Sequence, residues 1–474
     1  MYDSPRLAPL SPLASILISC AALAGVLLAS VASAQTAPAP SPVALAKNES
    51  WLYAGSDIPR DTAWQFGVLP NGVRYAVRNN GVPPGQVSIR VRMDVGSMFE
   101  SEKELGFAHL LEHLTFRGSE HIPDGEAKRI WQRFGVTFGS DSNAQTTPTQ
   151  TVYQLDLPNV NAATLDESMK LLAGMVREPR ISDTAVTAER GVVMSELRES
   201  DGPQKRIADI TNAHLFAGQL LGKRPPIGTV ASLAAASAPA VQAFHDRWYR
   251  PERAVVVIVG DGDPAEFARL IAKYYGDWRG DGTPPAQPDF GKPDPKAPVA
   301  KVVVEPNQPL ALTLAMIRPW VKRVDTVENT RRLYLEFIAQ ALVNRRLENR
   351  ARAGGSYLVA TVEQQYLSRS ADVTMAQVVP LNDWKAALAA VRGVIADAVT
   401  TPPSPYFPVP VYQQETLRYE RPTWLSGTVE PGDNGNANTV GEKGEGCYIR
   451  WAGSTFAVPQ LVGLVNAGAG TATS

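Results

Sequence analysis

Gly106-Phe-Ala-His-Leu-Leu-Glu-His-Leu-Thr-Phe-Arg117 decides how the rest of the chain is read. It holds His109, Glu112 and His113 in an H-x-x-E-H pattern. In a helix each residue advances about 100°, so His109 and His113 stand one turn apart on one side. Glu112 falls about 60° from His109 and about 100° from His113 by the same rotation. Two imidazoles and a carboxylate therefore project from one arc. Phe107, Leu110, Leu114 and Leu111 form the apolar stripe of a core-facing helix. Two neutral imidazoles one turn apart can grip a zinc ion from a single rigid element. A carboxylate beside them can take a proton from water that the metal activates. The pattern is H-E-x-x-H inverted, and both are zinc-site motifs. The chain has five His among 474 residues, and two of them sit in this pattern.

Length and composition frame that helix. The 474 residues suggest two or three domains. A hydrophobic share of 44% and a charged share of 20% are globular values. The formal net charge of −1 gives no electrostatic case for nucleic acid or an anionic membrane.

The first residues read as an export signal spanning 1–34. Arg6 precedes an apolar run over 13–31, and Ala32-Ser33-Ala34 is a small-x-small cleavage pattern. The alternative is an uncleaved anchor, since the run is nearly long enough to span a bilayer. After cleavage no stable membrane span is expected, and the protein is periplasmic or secreted. Leu17-Ile18-Ser19-Cys20 faintly matches a lipoprotein box, but modification there would leave an apolar stretch on the mature chain. Cleavage also removes Cys20 and leaves Cys447 alone, so no intrachain disulfide is expected. Residues 35–50 contain an Ala/Pro/Ser-rich stretch and read as a flexible linker.

Residues 51–283 form the first expected domain. Residues 68–78 read as a hairpin, with Asn71-Gly72 as its turn. Residues 87–95 alternate apolar and polar, as in a strand with one buried face. Helices are expected over 124–134, 165–176 and 185–198, and a strand over 151–157. Residues 245–261 read as a helix end, a turn at Pro251 and a buried strand, which leaves His245 and His214 structural roles.

A catalytic zinc site usually has three protein ligands and an open position. Two imidazoles leave one ligand to find. Asp156, Glu167, Glu189, Glu196 and Glu199 all compete, and spacing does not choose among them.

His109-Leu-Leu-Glu-His113, followed by Glu189-Arg-Gly-Val-Val-Met-Ser-Glu196, resembles the insulinase/pitrilysin family of zinc metallopeptidases. The resemblance implies Glu196 as the third ligand of one Zn²⁺ per chain, with Glu189 a supporting carboxylate nearby. The separation of His113 from Glu196, 196 − 113 = 83 positions, is a few more than is usual there. The segment from Ser142 to Tyr153 is similar to the family's substrate-pairing edge strand. This implies Asn143 and Ala144 as substrate contacts beside the scissile bond.

The family implies an α+β fold of two related α/β sandwich domains, each an antiparallel-rich sheet packed with helices. Residues 284–298 are proline-rich and read as a linker. Residues 299–403 read as a second, incomplete domain, with strands over 301–305, 310–317, 357–362 and 371–379. Its helices are expected over 329–353, stopped by Gly354-Gly355, and over 384–399. The resemblance ends near Pro403, and residues 404–474 read as an atypical, poorly ordered tail. The expectation is a front half of a larger enzyme, whose partner would be a second peptidase-like half or subunit.

The function implied is that of a zinc-dependent endopeptidase acting on peptides or small unfolded proteins, with Glu112 activating the attacking water. The alternative is a catalytically silent subunit that binds peptides or serves as a scaffold.

Overall fold

The computed structural model describes residues 51, 53–120, 122–294, 300–401, 448–451 and 454–457. The expected signal and tether, Cys20, Cys447, His121 and most of the tail lie outside the described residues. The fold is α+β.

The first sheet has six strands: β1 (Trp64–Val68), β2 (Arg74–Asn79), β3 (Val87–Met93), β4 (Ser142–Thr146), β5 (Thr151–Leu157) and β6 (Ala254–Gly260). They lie in the order β1-β2-β6-β3-β5-β4. Only β2 and β6 run parallel; every other pair is antiparallel. The β1–β2 hairpin turns through residues 69–73. Gly72 takes φ 96° there, and Asn71 donates to the carbonyls of Tyr275 (2.6 Å) and Trp278 (3.0 Å). The expected Asn-Gly turn is thus present, and its Asn also bonds to a distant helix end.

The alternation in β3 buries Val87, Ile89, Val91 and Met93 on one face. The helices of this part of the chain are α1 (Phe107–Thr115), α2 (Glu126–Arg133), α3 (Ala162–Arg177), α4 (Asp183–Glu199), α5 (Pro203–Leu215), α6 (Val230–Ala234), α7 (Ala238–Trp248) and α8 (Pro264–Tyr275), and they share the core with that face to very different extents. α3 and α8 bury Met169, Leu172, Phe267 and Ile271, whereas α5 buries nothing. The stripe expected on α1 is fully inside: Phe107, Leu110, Leu111 and Leu114 all join the core. That leaves its opposite arc for the polar residues.

The second sheet has three antiparallel strands in the order β7-β9-β8, with β7 (Leu312–Pro319), β8 (Tyr357–Leu367) and β9 (Ala371–Pro380). Helix α9 (Val327–Arg352) ends at Ala353 and Gly354, the latter with φ 84°, so the expected stop is where the chain turns. Helix α10 (Trp384–Thr400) follows. A final antiparallel pair joins β10 (Tyr448–Trp451) to β11 (Ser454–Ala457).

The strand expected over 301–305 is absent. Val302 and Val304 are 82% and 84% exposed, and no described strand pairs with them. A run of three valines cannot make a strand without a neighbouring ladder to bond to. The chain is fixed there instead by Glu305, which takes a bidentate pair from Arg206 at 2.9 Å.

The expected linker is likewise bonded on its described side. Leu220 donates to Phe290 O at 2.9 Å, and Phe290 packs edge-on against Phe99. By contacts, one compact unit comprises Lys47–Arg332 with Leu347–Val391. Among the described residues, no helix is long and apolar enough to cross a membrane.

Candidate metal centre

Helix α1 enters after Gly106, whose φ of 90° suits a residue without a side chain. A Cβ there would lie 2.9 Å from Gly228 Cα, so the close approach also requires glycine. The buried Glu100 carboxylate accepts the N–H groups of Gly106 (2.9 Å) and Ala108 (2.8 Å), satisfying donors that a helix start leaves open. The helix is thereby held at its N-terminus, and the histidines keep a fixed direction.

His109 and His113 stand edge to face, with ring centroids 4.8 Å apart. Glu196, near the end of α4, approaches both. Its Oε2 lies 3.7 Å from His109 Nε2 and 3.7 Å from His113 Nε2. Of the five acids left open by spacing, Glu196 is the one brought to both rings. Asp156 instead pairs with Arg90 at 2.7 Å, and Glu199 accepts Ser195 Oγ. Glu167 sits on α3 and outside the cluster.

The donor set fits zinc. The three ligand atoms lie within 4.8 Å of one another. Ligands about 2.1 Å from a tetrahedral ion sit roughly 3.4 Å apart, so the cluster needs to close only slightly. Among the described residues this is the one such His/Cys/Asp/Glu cluster. His245 is buried elsewhere, with Nε2 on Val176 O and Nδ1 on Asp246, which is the structural role expected of it.

The second nitrogen of His113 is also engaged. Its Nδ1 meets Glu189 Oε2 at 3.1 Å, and Glu189 Oε1 accepts Arg117 Nε at 2.6 Å. A carboxylate on the far nitrogen sets the tautomer and aims Nε2 outward. Burial works against the charge on Glu189, yet the bonds from His113 and Arg117 hold its carboxyl below the usual range. Burial alone would lower His113, but Glu189, with Glu112 and Glu196, holds it above its ordinary value. For His109, burial and the neighbouring His113 push the pKa down to about 4. That ring is neutral at neutral pH, the form a metal requires.

Glu112 is buried, and its Oε2 accepts the Thr146 hydroxyl. Burial pushes its carboxyl up, against the pull of that bond and of His113. Thr146 belongs to β4, the edge strand of the first sheet. Thr147 N–H donates to Gln150 O at 2.8 Å and closes the β4–β5 turn. Ladder bonds alternate in an antiparallel pair, so Ala144 and Thr146 turn their main-chain groups outward. The Ala144 N–H is accordingly taken by Asn143 Oδ1 at 2.9 Å rather than by β5. Asn143 is exposed and also bonds Gly139 O at 3.1 Å.

His109, Glu112, Ala144, Thr146 and Glu196 share one open cleft of about 1040 Å³, lined also by Arg224 and the turn that follows it. The sequence reading had assigned no role to Thr146 or Arg117. Thr146 carried a positional signal, two residues past Ala144 on a strand, whereas Arg117 lies in the turn just beyond α1.

The family description "Insulinase (Peptidase family M16)" matches residues 75–224, and "Peptidase M16 inactive domain" matches residues 235–371. The chain is similar to "Probable zinc protease PqqL" of Haemophilus influenzae, with 34% identity over 220 residues, covering 46% of this chain and 24% of that protein. The protein of the same name from Escherichia coli is 31% identical over 214 residues, covering 45% of this chain and 23% of that protein. The match thus spans about a quarter of these relatives' length. In fold, the chain is similar to the first half of the periplasmic protease PqqL from Escherichia coli. The TM-score is 0.62 at 21% identity, covering 85% of this chain and 86% of that one. Against pitrilysin the TM-score is 0.54 at 19% identity, covering 77% of this chain and 37% of that one.

Proposed function

The chain belongs to the insulinase family, peptidase family M16, and from that premise we propose that it is a zinc-dependent endopeptidase whose ligands are His109, His113 and Glu196. The observation that carries this is the meeting of Glu196 Oε2 with both Nε2 atoms at 3.7 Å, with Glu112 opening onto the same cleft. Zinc, the metal in the relatives' names, supplies a Lewis acid that makes water a nucleophile at neutral pH.

The chain's own residues do the rest. Glu112 takes the proton of the attacking water and returns it to the amine nitrogen as the peptide bond breaks. Its burial raises the carboxyl above its ordinary value, which strengthens it as a proton acceptor. Glu189, bonded to Arg117, holds His113 in the tautomer that presents Nε2. The outward-turned main chain of Ala144 lets an extended peptide add as a further strand beside β4, once the Asn143 amide yields the Ala144 N–H. Substrates are peptides or unfolded segments, because only an extended backbone can pair with that edge. A second peptidase-like half or subunit is the partner that would complete the enclosure. The export signal read in residues 1–34, together with the periplasmic protease of similar fold, supports a location outside the cytoplasm.

The test is metal content and peptide cleavage by the purified chain, alone and with a partner half added. About one zinc per chain with chelator-sensitive cleavage is expected. Chain that carries no zinc, or that cleaves equally after chelation, overturns the reading.

A further inference from the structure

Thr146 makes two kinds of contact that no other residue of the site combines. Its main chain lies on the outer edge of β4, two residues from Ala144 and on the same side. Its hydroxyl is bonded to Glu112 Oε2. The hydrogen-bond inventory around that hydroxyl fixes the direction of donation. Thr151 Oγ1 lies 3.4 Å away, but Thr151 gives its one proton to Val95 O at 3.1 Å. An ionised carboxylate only accepts, so the Thr146 proton goes to Glu112. Beyond Glu112, the Thr115 hydroxyl donates to the Glu112 carbonyl at 2.6 Å, tying down the backbone from which the carboxylate hangs. Oε2 is therefore held by the Thr146 hydroxyl, and the Thr146 backbone N–H also bears on the same carboxylate.

We propose that Thr146 is the positioning residue of the proton-shuttling carboxylate: its hydroxyl pins Glu112 Oε2, directs Oε1 at the reacting centre, and locks that oxygen in register with a peptide paired along β4. This rests on the reading of Glu112 as the base and of β4 as the peptide edge. The physical reason for such a tether is the rotational freedom of a glutamate. Its terminal torsion is broad, so a lone Glu112 would spread its oxygens over many orientations. A hydroxyl from the strand that also bears the substrate removes that freedom and refers the base to the substrate rather than to the helix alone. The tether adds nothing to peptide affinity, so its loss falls on turnover.

The experiment uses the full zinc-loaded chain and two variants. Thr146→Val keeps the branched shape of the side chain and removes the hydroxyl; Thr146→Ser restores the hydroxyl. High-resolution crystal structures of the three read the Glu112 carboxylate directly and need no turnover. A single orientation is expected in the wild type and in Thr146→Ser, and a turned or divided one in Thr146→Val. On peptide cleavage, Thr146→Val should lose roughly tenfold to a hundredfold in kcat, the scale of a reacting group misplaced by about 1 Å. KM should stay within about twofold, and Thr146→Ser should recover the rate. An unchanged, single Glu112 orientation in Thr146→Val overturns the proposal. So does zinc loss from Thr146→Val and Thr146→Ser alike, which would mark a packing role. Glu112→Gln is the control on the underlying reading. If that variant cleaves at the wild-type rate, the base assignment falls, while the crystal structures still decide whether Thr146 orients the carboxylate.

Discussion

His113 Nδ1 lies 3.1 Å from Glu189 Oε2, and the other oxygen of the same carboxylate is held by Arg117 at 2.6 Å. One ring nitrogen of His113 is thereby committed to the protein, and Nε2 is left facing Glu196. Removing such a partner from a metal-binding histidine typically weakens metal affinity by about 10- to 100-fold. Glu189→Gln is expected to fall in that range, measured by competition with a chelator of known zinc affinity. Arg117→Ala should follow in the same direction with a smaller effect, because it loosens Glu189 rather than removing it. Wild-type affinity in Glu189→Gln would show that this contact does not orient the ring.

Glu112 and the histidines divide the labour, so their variants should separate. Glu112→Gln keeps the shape and the Thr146 contact but cannot take a proton. Its zinc content should stay at the wild-type level while kcat falls by roughly 10²- to 10⁴-fold, the usual contribution of a positioned acid–base group. Retained turnover would remove Glu112 from the chemistry.

His113→Ala and Glu196→Gln should each bind zinc poorly, and this is readable without any cleavage assay. A ligand present at about 1,000 times its dissociation constant stabilises the folded state by roughly 4 kcal/mol. Chelation should therefore lower the melting temperature of the wild type and leave His113→Ala almost unmoved. A full zinc equivalent on His113→Ala would break the proposed ligand set.

The part of this site on α1 was legible because helical spacing alone brings His109 and His113 to one side. The strand β3 was legible because Val87, Ile89, Val91 and Met93 alternate. The third corner was not. Glu196 arrives from α4, and nothing in its spacing separated it from Asp156, Glu167, Glu189 or Glu199; only the resemblance pointed to it. Thr146 was hidden for a related reason. Strand alternation puts it on the same side as Ala144, but which hydroxyl reaches Glu112 depends on how deeply α1 sits against the sheet edge. The strand expected over 301–305 failed in the opposite way: Val302 and Val304 have the right local preference, and no neighbour came to pair with them. Local pattern reports propensity, whereas pairing is settled by the rest of the fold.

The two histidines should leave opposite marks on the acid stability of the metal-free chain. His109 titrates at about 4 in the fold against an ordinary 6.5. The unfolded chain therefore binds more protons between those values, and stability contributed by neutral His109 is lost as pH falls through that window. The shift is on the order of 3 kcal/mol by the usual conversion of pKa into free energy. His113 is raised, so its contribution is fully present below about 6.5 and is lost as pH rises through its folded pKa. His109→Gln deletes the first effect and keeps the second. Thermal melts in chelator at pH 7 and pH 4.5 should show the wild type losing more stability on acidification than His109→Gln. Equal losses in the two proteins would mean that His109 gains its proton as easily in the fold as outside it, and the ring would then not be held neutral for a metal.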